Sequence, residues 1–209
     1  MDNKYKLIAF DIDGTILNQE ERVCVRLKKV VAKLKQQGYL FTIVSARFPP
    51  SALKIAKELG LSDNEPVIGL NGSFITNGSH EVLYSRDFNA DVVNQYLPEI
   101  GDSIAINYYH GFNWLVTHHN GYTGRELLAL GDDFEYIHGQ LATVNKITLM
   151  GKNAVLINVQ QLLSSKTTNL IVAFSHENYL EITTNDISKF TGIKAYADKL
   201  HIQTTEIIA

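Results

Sequence analysis

The chain holds a single cysteine, Cys24, in 209 residues, so no intrachain disulfide can form. A framework stapled by cystines is excluded, and a reducing compartment suits the composition. Neither sign of charge prevails: 19 Lys and Arg stand against 22 Asp and Glu, for a formal net charge of −3. A balance this close to neutral gives no basis for expecting nucleic acid or an anionic membrane as partner. Lys28, Lys29, Lys33 and Lys35 do cluster, but on the polar side of a helical pattern, where a charge run is a solvated face. No apolar run approaches the length of a membrane span, and the opening MDNKYKLIAF has neither the length nor the cleavage pattern of a signal peptide. Repeats and low-complexity tracts are missing. Asn71-Gly72-Ser73 and Asn77-Gly78-Ser79 match the glycosylation sequon but, without a secretory signal, read as Asn-Gly turns. These absences point to a soluble, cytoplasmic protein, long enough for one large domain or two small ones.

What is present is ordered in two styles. Over the first 70 residues, strand and helix signals alternate. Lys6–Phe10 is an apolar run of strand length, and Tyr39–Val44 is rich in β-branched and aromatic residues. Between them Val23, Leu27, Val30, Val31 and Leu34 recur at helical spacing, with Gly38 as a stop. Pro49 and Pro50 can open a second helix, whose face is Leu53, Ala56 and Leu59, and Pro66–Leu70 is a third strand. Continuous apolar strands alternating with helices predict a parallel sheet covered on both faces.

From Phe74 the style changes. Phe74–Thr76 and Val82–Tyr84 flank Asn77-Gly78 as a tight hairpin. Ser103–Tyr108 and Trp114–Thr117 can pair, and Lys146–Met150, Leu170–Phe174 and Tyr179–Thr183 supply further strands. Helical stretches near Val92–Ile100, Thr123–Leu130 and Ala154–Ser164 lie among them. Phe190, Ile193, Ala197 and Leu200 restore a helical pattern over Ser188–Leu200, and Glu206–Ala209 opens another strand. The expected architecture is a Rossmann-like α/β core, residues 1–83 and 185–209, interrupted by an inserted α+β domain at 84–184.

The stretch most in need of a reason is Asp11-Ile12-Asp13-Gly14-Thr15, which puts two like charges at the end of a buried strand. A calcium loop of the EF-hand type would need glycine at its sixth position and glutamate at its twelfth; here these are Ile16 and Arg22, so that reading fails. Open parallel sheets bind ligands at their carboxyl edge, and paired carboxylates there repel unless a cation lies between them. His110, His118 and His119 invite a zinc reading but lack acidic or cysteine companions at typical spacing, so they read as surface residues. Tyr108, Tyr109, Phe112 and Trp114 fit either a specificity surface or strand-pair packing.

Asp11-Ile12-Asp13-Gly14-Thr15 after a hydrophobic strand resembles the first motif of the haloacid dehalogenase (HAD) superfamily. Ser45, ending the second strand before Ala46-Arg47, is similar to the second motif, and Lys189 in Asp186-Ile187-Ser188-Lys189 to the third. Asn71-Gly72 resembles the Cof-like phosphatase branch, whose large cap lies between the second and third motifs. The resemblance implies a Mg²⁺-dependent phosphohydrolase of a small phosphorylated metabolite, a sugar phosphate or similar. On it Asp11 is the nucleophile that forms an aspartyl-phosphate, Asp13 the general acid and base, and Lys189 the charge facing the phosphoryl group. Ser45, Ala46, Gly14 and Asn71 would line the substrate, and Asp11 with the Asp13 carbonyl would hold Mg²⁺.

Ala46 and Phe190 stand where the family usually has glycine. Family members also continue to a strand ending in a G-D-x-x-N-D cluster that completes the metal shell, whereas Glu206-Ile207-Ile208-Ala209 stops short of it. The expectation is therefore reduced activity. The alternative is an inactive truncated remnant that binds a phosphate ligand or a protein partner, with an incomplete sheet whose edge another chain could cover.

Overall fold

The structure is a computed structural model that describes residues 4–18, 20–131 and 134–209. Its elements divide between two compact units, Met1–Ser85 with Ile187–Ala209 and Arg86–Asp186.

The first unit opens with β1 (Leu7–Phe10), α1 (Val25–Gln36), β2 (Leu40–Val44), α2 (Pro49–Leu59) and β3 (Pro66–Gly69). The hairpin β4 (Phe74–Asn77) and β5 (Val82–Ser85) follows. Proline fits the first turn of α2, where its missing N–H would be unpaired anyway, and Gly60 ends that helix at φ 92°, a left-handed conformation that glycine adopts freely. The hairpin turn is longer than an Asn-Gly pair: the Asn77 side chain accepts from the amides of Ser79 and Glu81, so four residues make the reversal. Helix α1 starts after Val23, which instead bridges to Leu17, and Val30 is 45% exposed rather than part of the apolar face.

The second unit contains β6 (Phe88–Asn89), α3 (Asp91–Asn94), α4 (Leu97–Ile100), β7 (Ala105–His110), β8 (Asn113–Val116) and α5 (Gly121–Leu130). Then come β9 (Glu135–Tyr136), β10 (Thr143–Val144), β11 (Lys146–Met150), α6 (Asn153–Lys166), β12 (Leu170–His176) and β13 (Tyr179–Thr184). Six strands form one sheet in the order β12-β13-β11-β7-β8-β9, antiparallel except for β8 with β9. Its apolar face, with Ile106, Tyr108, Ile147, Leu149, Leu180 and Ile182, packs with Leu156, Val159 and Leu163 of α6. The single helix expected over 92–100 is two short ones, because Pro98 has no N–H to continue the ladder and the helix restarts around it. Tyr108, Tyr109 and Trp114 are at most 2% exposed, which removes them from any specificity surface. The Trp114 indole donates to Asn107 at 2.9 Å and the Tyr108 hydroxyl to Asn94 at 2.9 Å, so each buried polar handle has a partner.

The chain re-enters the first unit through α7 (Lys189–Lys199) and β14 (Ile207–Ile208). The sheet of that unit runs β14-β1-β2-β3-β4-β5, parallel from β14 to β3 and antiparallel across the hairpin. Side chains alternate between its faces with period two. Ile8, Phe41, Ile43 and Val67 pack with Val31, Ala52, Ala56 and Leu59 of α1 and α2, while Leu7, Ala9, Val44, Ile68 and Ile75 pack with Ile193 and Ala197 of α7. This is a three-layer helix–sheet–helix core. Phe190, counted into the α7 stripe from its spacing, is instead 61% exposed. Among the described residues no helix is long and apolar enough to cross a membrane.

Candidate active site

Register decides what meets at the carboxyl edge of the parallel strands. Phe10 pairs with Ile43 and Val44 with Ile68, so the chain leaves β1, β2 and β3 on one side, at Asp11, Ser45 and Leu70. Asp11 keeps extended backbone (φ −75°, ψ 153°) and accepts from the Ile12 amide at 2.8 Å. Buried Ile12 and Ile16 anchor the turn that follows, and Leu17 N closes it on Ile12 O at 3.3 Å. Gly14 sits at φ 74° in that turn, and a Cβ there would meet nothing within 4 Å; glycine serves the conformation rather than the space.

Lys189, 178 residues from Asp11 in sequence, reaches its carboxylate with Nζ–Oδ2 at 2.6 Å. Two devices bring it there. Ser188 and Thr191 form a reciprocal capping box, Thr191 N donating to Ser188 Oγ at 3.1 Å and Ser188 N to Thr191 Oγ1 at 2.8 Å, which starts α7 at Lys189. Asp186 takes no part in that cap and pairs with Arg86 at 2.8 Å. The loop after β3 then packs on the first turn of α7 through glycine. Gly72 lies at φ 104°, a Cβ on it would drive into the Ser188 carbonyl, and a Cβ on Gly192 would come within 2.7 Å of Gly72 Cα. Asn71, in the left-handed region at φ 62°, donates its amide to Ser45 O at 3.0 Å and so joins this loop to the end of β2.

Asp13 finds a different cation. Arg47 Nε donates to its Oδ2 at 3.0 Å and Nη2 to its Oδ1 at 2.6 Å, a two-point fork. Each member of the acidic pair is thus countered by a protein cation of its own. Repulsion between the aspartates does not by itself demand a metal ion. Arg47 had no role in the sequence reading; the signal was a basic residue two positions after the strand-end serine. Ser45 is fully buried, its Oγ accepts from Arg47 N at 3.1 Å, and its hydroxyl hydrogen meets no acceptor among the described residues. Ala46 is half-buried beside it. The Asp11, Asp13 and Lys189 side chains are reachable, at 34%, 58% and 39% exposure.

As to a metal, no group of three or more His, Cys, Asp or Glu that could hold one occurs among the described residues. His110, His118 and His119 accordingly form no such cluster. What the first strand end offers is the Asp11 carboxylate, which faces Lys189, while the Asp13 carboxylate is taken by Arg47. Mg²⁺ accepts such a set, because it keeps several waters and completes its octahedron with substrate phosphate.

A parallel α/β core that brings a carboxylate pair, a hydroxyl and an ammonium to one strand edge carries the groups that phosphatases of α/β architecture use. The model of the haloacid dehalogenase-like hydrolases matches residues 8–209, and the chain belongs to that family. A Haemophilus influenzae protein named provisionally as a phosphatase is 27% identical, the match covering 98% of this chain and 79% of that protein. The HMP-PP phosphatase of Shigella boydii is 25% identical, over 98% of this chain and 80% of its own length. Among solved structures, one from Thermotoga maritima superposes with a TM-score of 0.83 at 19% identity, covering 97% of this chain and 78% of that one, and shows the shared fold.

Proposed function

We propose that this protein hydrolyses phosphate monoesters of small metabolites, sugar phosphates or similar, with Mg²⁺ as cofactor. The observation that carries the reading is the 2.6 Å approach of Lys189 to Asp11 at the edge where Asp13 and Ser45 also lie. An Asp11 carboxylate oxygen attacks phosphorus; the P–O ester bond breaks, and its electron pair leaves with the alkoxide oxygen, which takes a proton from Asp13. Water then attacks the aspartyl-phosphate, gives its proton to Asp13, and phosphate departs as the P–O bond to Asp11 breaks. Lys189 supplies positive charge to the phosphoryl oxygens, after exchanging its ion pair with Asp11 for the incoming group. Ser45 has one unused O–H donor for a phosphoryl oxygen. Ala46, Gly14 and Asn71 contribute backbone that approaches the ligand. The Asp11 carboxylate and the Asp13 carbonyl would hold Mg²⁺, which when bound offsets phosphate charge as a Lewis acid. The name of the Shigella boydii relative is in keeping with a small phosphorylated substrate.

The test is turnover of p-nitrophenyl phosphate and a panel of sugar phosphates with Mg²⁺. Hydrolysis should scale with protein, stop with EDTA, and be lost in Asp11→Asn. Hydrolysis that survives Asp11→Asn means that another group is the nucleophile, and the reading fails.

A further inference from the structure

The second unit has a cleft of its own, of about 480 Å³, a size that suits a small ligand. Its lining runs from Arg86 to Thr184, all within that unit, and includes none of the residues assigned above to the active site. Phe88, Val92 and Leu170 give it apolar surface, and Arg86, Asn89 and the turn from Lys166 to Asn169 give it polar groups. Those groups are unevenly spent. Asp87 Oδ1 already accepts from Asn145 Nδ2 at 2.5 Å, Asn89 Oδ1 from the Asp91 amide at 2.8 Å, and Asn169 Oδ1 from the Thr168 hydroxyl at 3.4 Å. The donors are open. Lys166 Nζ, Asn89 Nδ2 and Asn169 Nδ2 meet no acceptor among the described residues. Arg86 gives Nε and Nη2 to one oxygen, Asp186 Oδ2, at 3.0 and 2.8 Å, which leaves its Nη1 side open.

Cations and amide N–H groups without matching acceptors suit a ligand group that only accepts, which is an oxyanion. A guanidinium can bond two phosphoryl oxygens at once along one planar edge, and an ammonium adds a point charge. The carboxyl end of α6 works against an anion. Leu163 O there is already taken, however, by the Thr167 amide and hydroxyl at 2.9 and 2.8 Å, and Lys166 stands in the same last turn. Among the described residues no histidine or cysteine lines the cleft, and its one carboxylate is bonded to Asn145, so nothing there is set to cleave an ester. We propose that this cleft holds a small phosphate ester without turning it over, the phosphate on Arg86 and Lys166 and the carbon skeleton against Phe88, Val92 and Leu170. The site is additional to the hydrolysis proposed above and does not depend on it.

The test is a titration of the full chain carrying Asp11→Asn, in EDTA, followed by proton–nitrogen correlation spectra. The probes are glucose 6-phosphate, inorganic phosphate and glucose. Glucose 6-phosphate should shift the side-chain amide signals of Asn89 and Asn169 and the Nε signal of Arg86 in a saturable way, inorganic phosphate more weakly, and glucose hardly at all. Read on the asparagine signals, Lys166→Ala and Arg86→Ala should each weaken the glucose 6-phosphate curve about tenfold, the loss of one charge-assisted contact. Lys166→Gln keeps the stem and serves equally if the alanine variant does not fold. Lys152→Ala, at an exposed lysine that starts the same helix, should leave the curve within about twofold.

Signals that move only around Ser45 and Lys189, or a glucose curve as tight as that of its phosphate, overturn the proposal. So does a response that sodium chloride reproduces at equal ionic strength, or one that Lys152→Ala weakens as much as Lys166→Ala, since either is charge screening rather than a site. Wild-type hydrolysis with Mg²⁺ is measured separately, so failure of the phosphatase reading leaves this result intact, and failure of this site leaves that reading intact.

Discussion

Replacing Gly192 by alanine sets two effects against each other in one helix. Glycine inside a helix costs about 1 kcal/mol relative to alanine, so propensity alone predicts that Gly192→Ala stabilises α7 by that amount. The contacts predict the opposite. The new Cβ would lie 2.7 Å from Gly72 Cα, 2.7 Å from Ile68 Cγ2 and 3.0 Å from Gly72 O. Carbon atoms pack best at roughly 3.5–4.0 Å, so α7 and the loop after β3 must part by about 1 Å. Two of those three neighbours are backbone atoms of a residue already at φ 104°, which leaves little room to yield. Overpacking of this kind costs about 1–3 kcal/mol. Set against the propensity gain, a net loss of about 1 kcal/mol remains, seen as a midpoint lower by about 2–4 °C in thermal unfolding of a chain this size. The same displacement carries Lys189, one turn earlier, away from Asp11, and a shift of about 1 Å at a reacting group can cost about 100-fold in rate. Gly121→Ala is the control, since a Cβ there meets nothing within 4 Å. It should be neutral or slightly stabilising, with turnover unchanged. A Gly192→Ala protein that melts higher and turns over normally would refute the claim that glycine contact sets the position of Lys189.

Other expectations follow from single contacts. Tyr108→Phe leaves the buried Asn94 Oδ1 without its 2.9 Å donor and should cost about 1–2 kcal/mol in denaturant unfolding monitored by circular dichroism. In an alkaline spectrophotometric titration Tyr108, pushed up to about 12 by burial, should ionise well after the exposed tyrosines, and together with them if the second unit is unfolded first. The Thr184 hydroxyl, and then the Arg86 guanidinium, hold the Asp186 carboxyl below its ordinary value. A lowered folded value gives a contribution present above the ordinary carboxylate range and lost as pH falls through the lowered one, so Arg86→Ala should flatten that acid limb. At neutral pH the exposed pair should matter by less than about 1 kcal/mol; a larger loss would mean that Arg86 does something besides pairing.

The parallel core was legible from the residues because its strands are short, apolar and separated by amphipathic helices with proline and glycine at their ends. Pro49 and Gly60 mark the bounds of α2, and Ser188 caps α7. The second unit was less legible. Two-residue strands such as β9 and β10 carry no periodicity to read, and their pairing comes from neighbours already in place. Val30 and Phe190 show the matching limit, for apolar spacing names a face without saying how wide a stripe the sheet covers.

The acidic motif, the strand-end serine and a lysine after the interruption were visible because chemistry restricts which residue types can do that work. Arg47 was not, since its partner lies 34 residues away and nothing local distinguishes it from a solvated arginine. Composition and pattern by themselves determined a disulfide-free α/β chain with two styles of sheet and an acidic pair at the end of its first strand. Which cation meets which carboxylate was decided only by tertiary structure. Strand register, a capped helix and the Gly72–Gly192 contact set distances across as many as 178 residues, and a salt bridge exists only where the fold brings its two ends within reach.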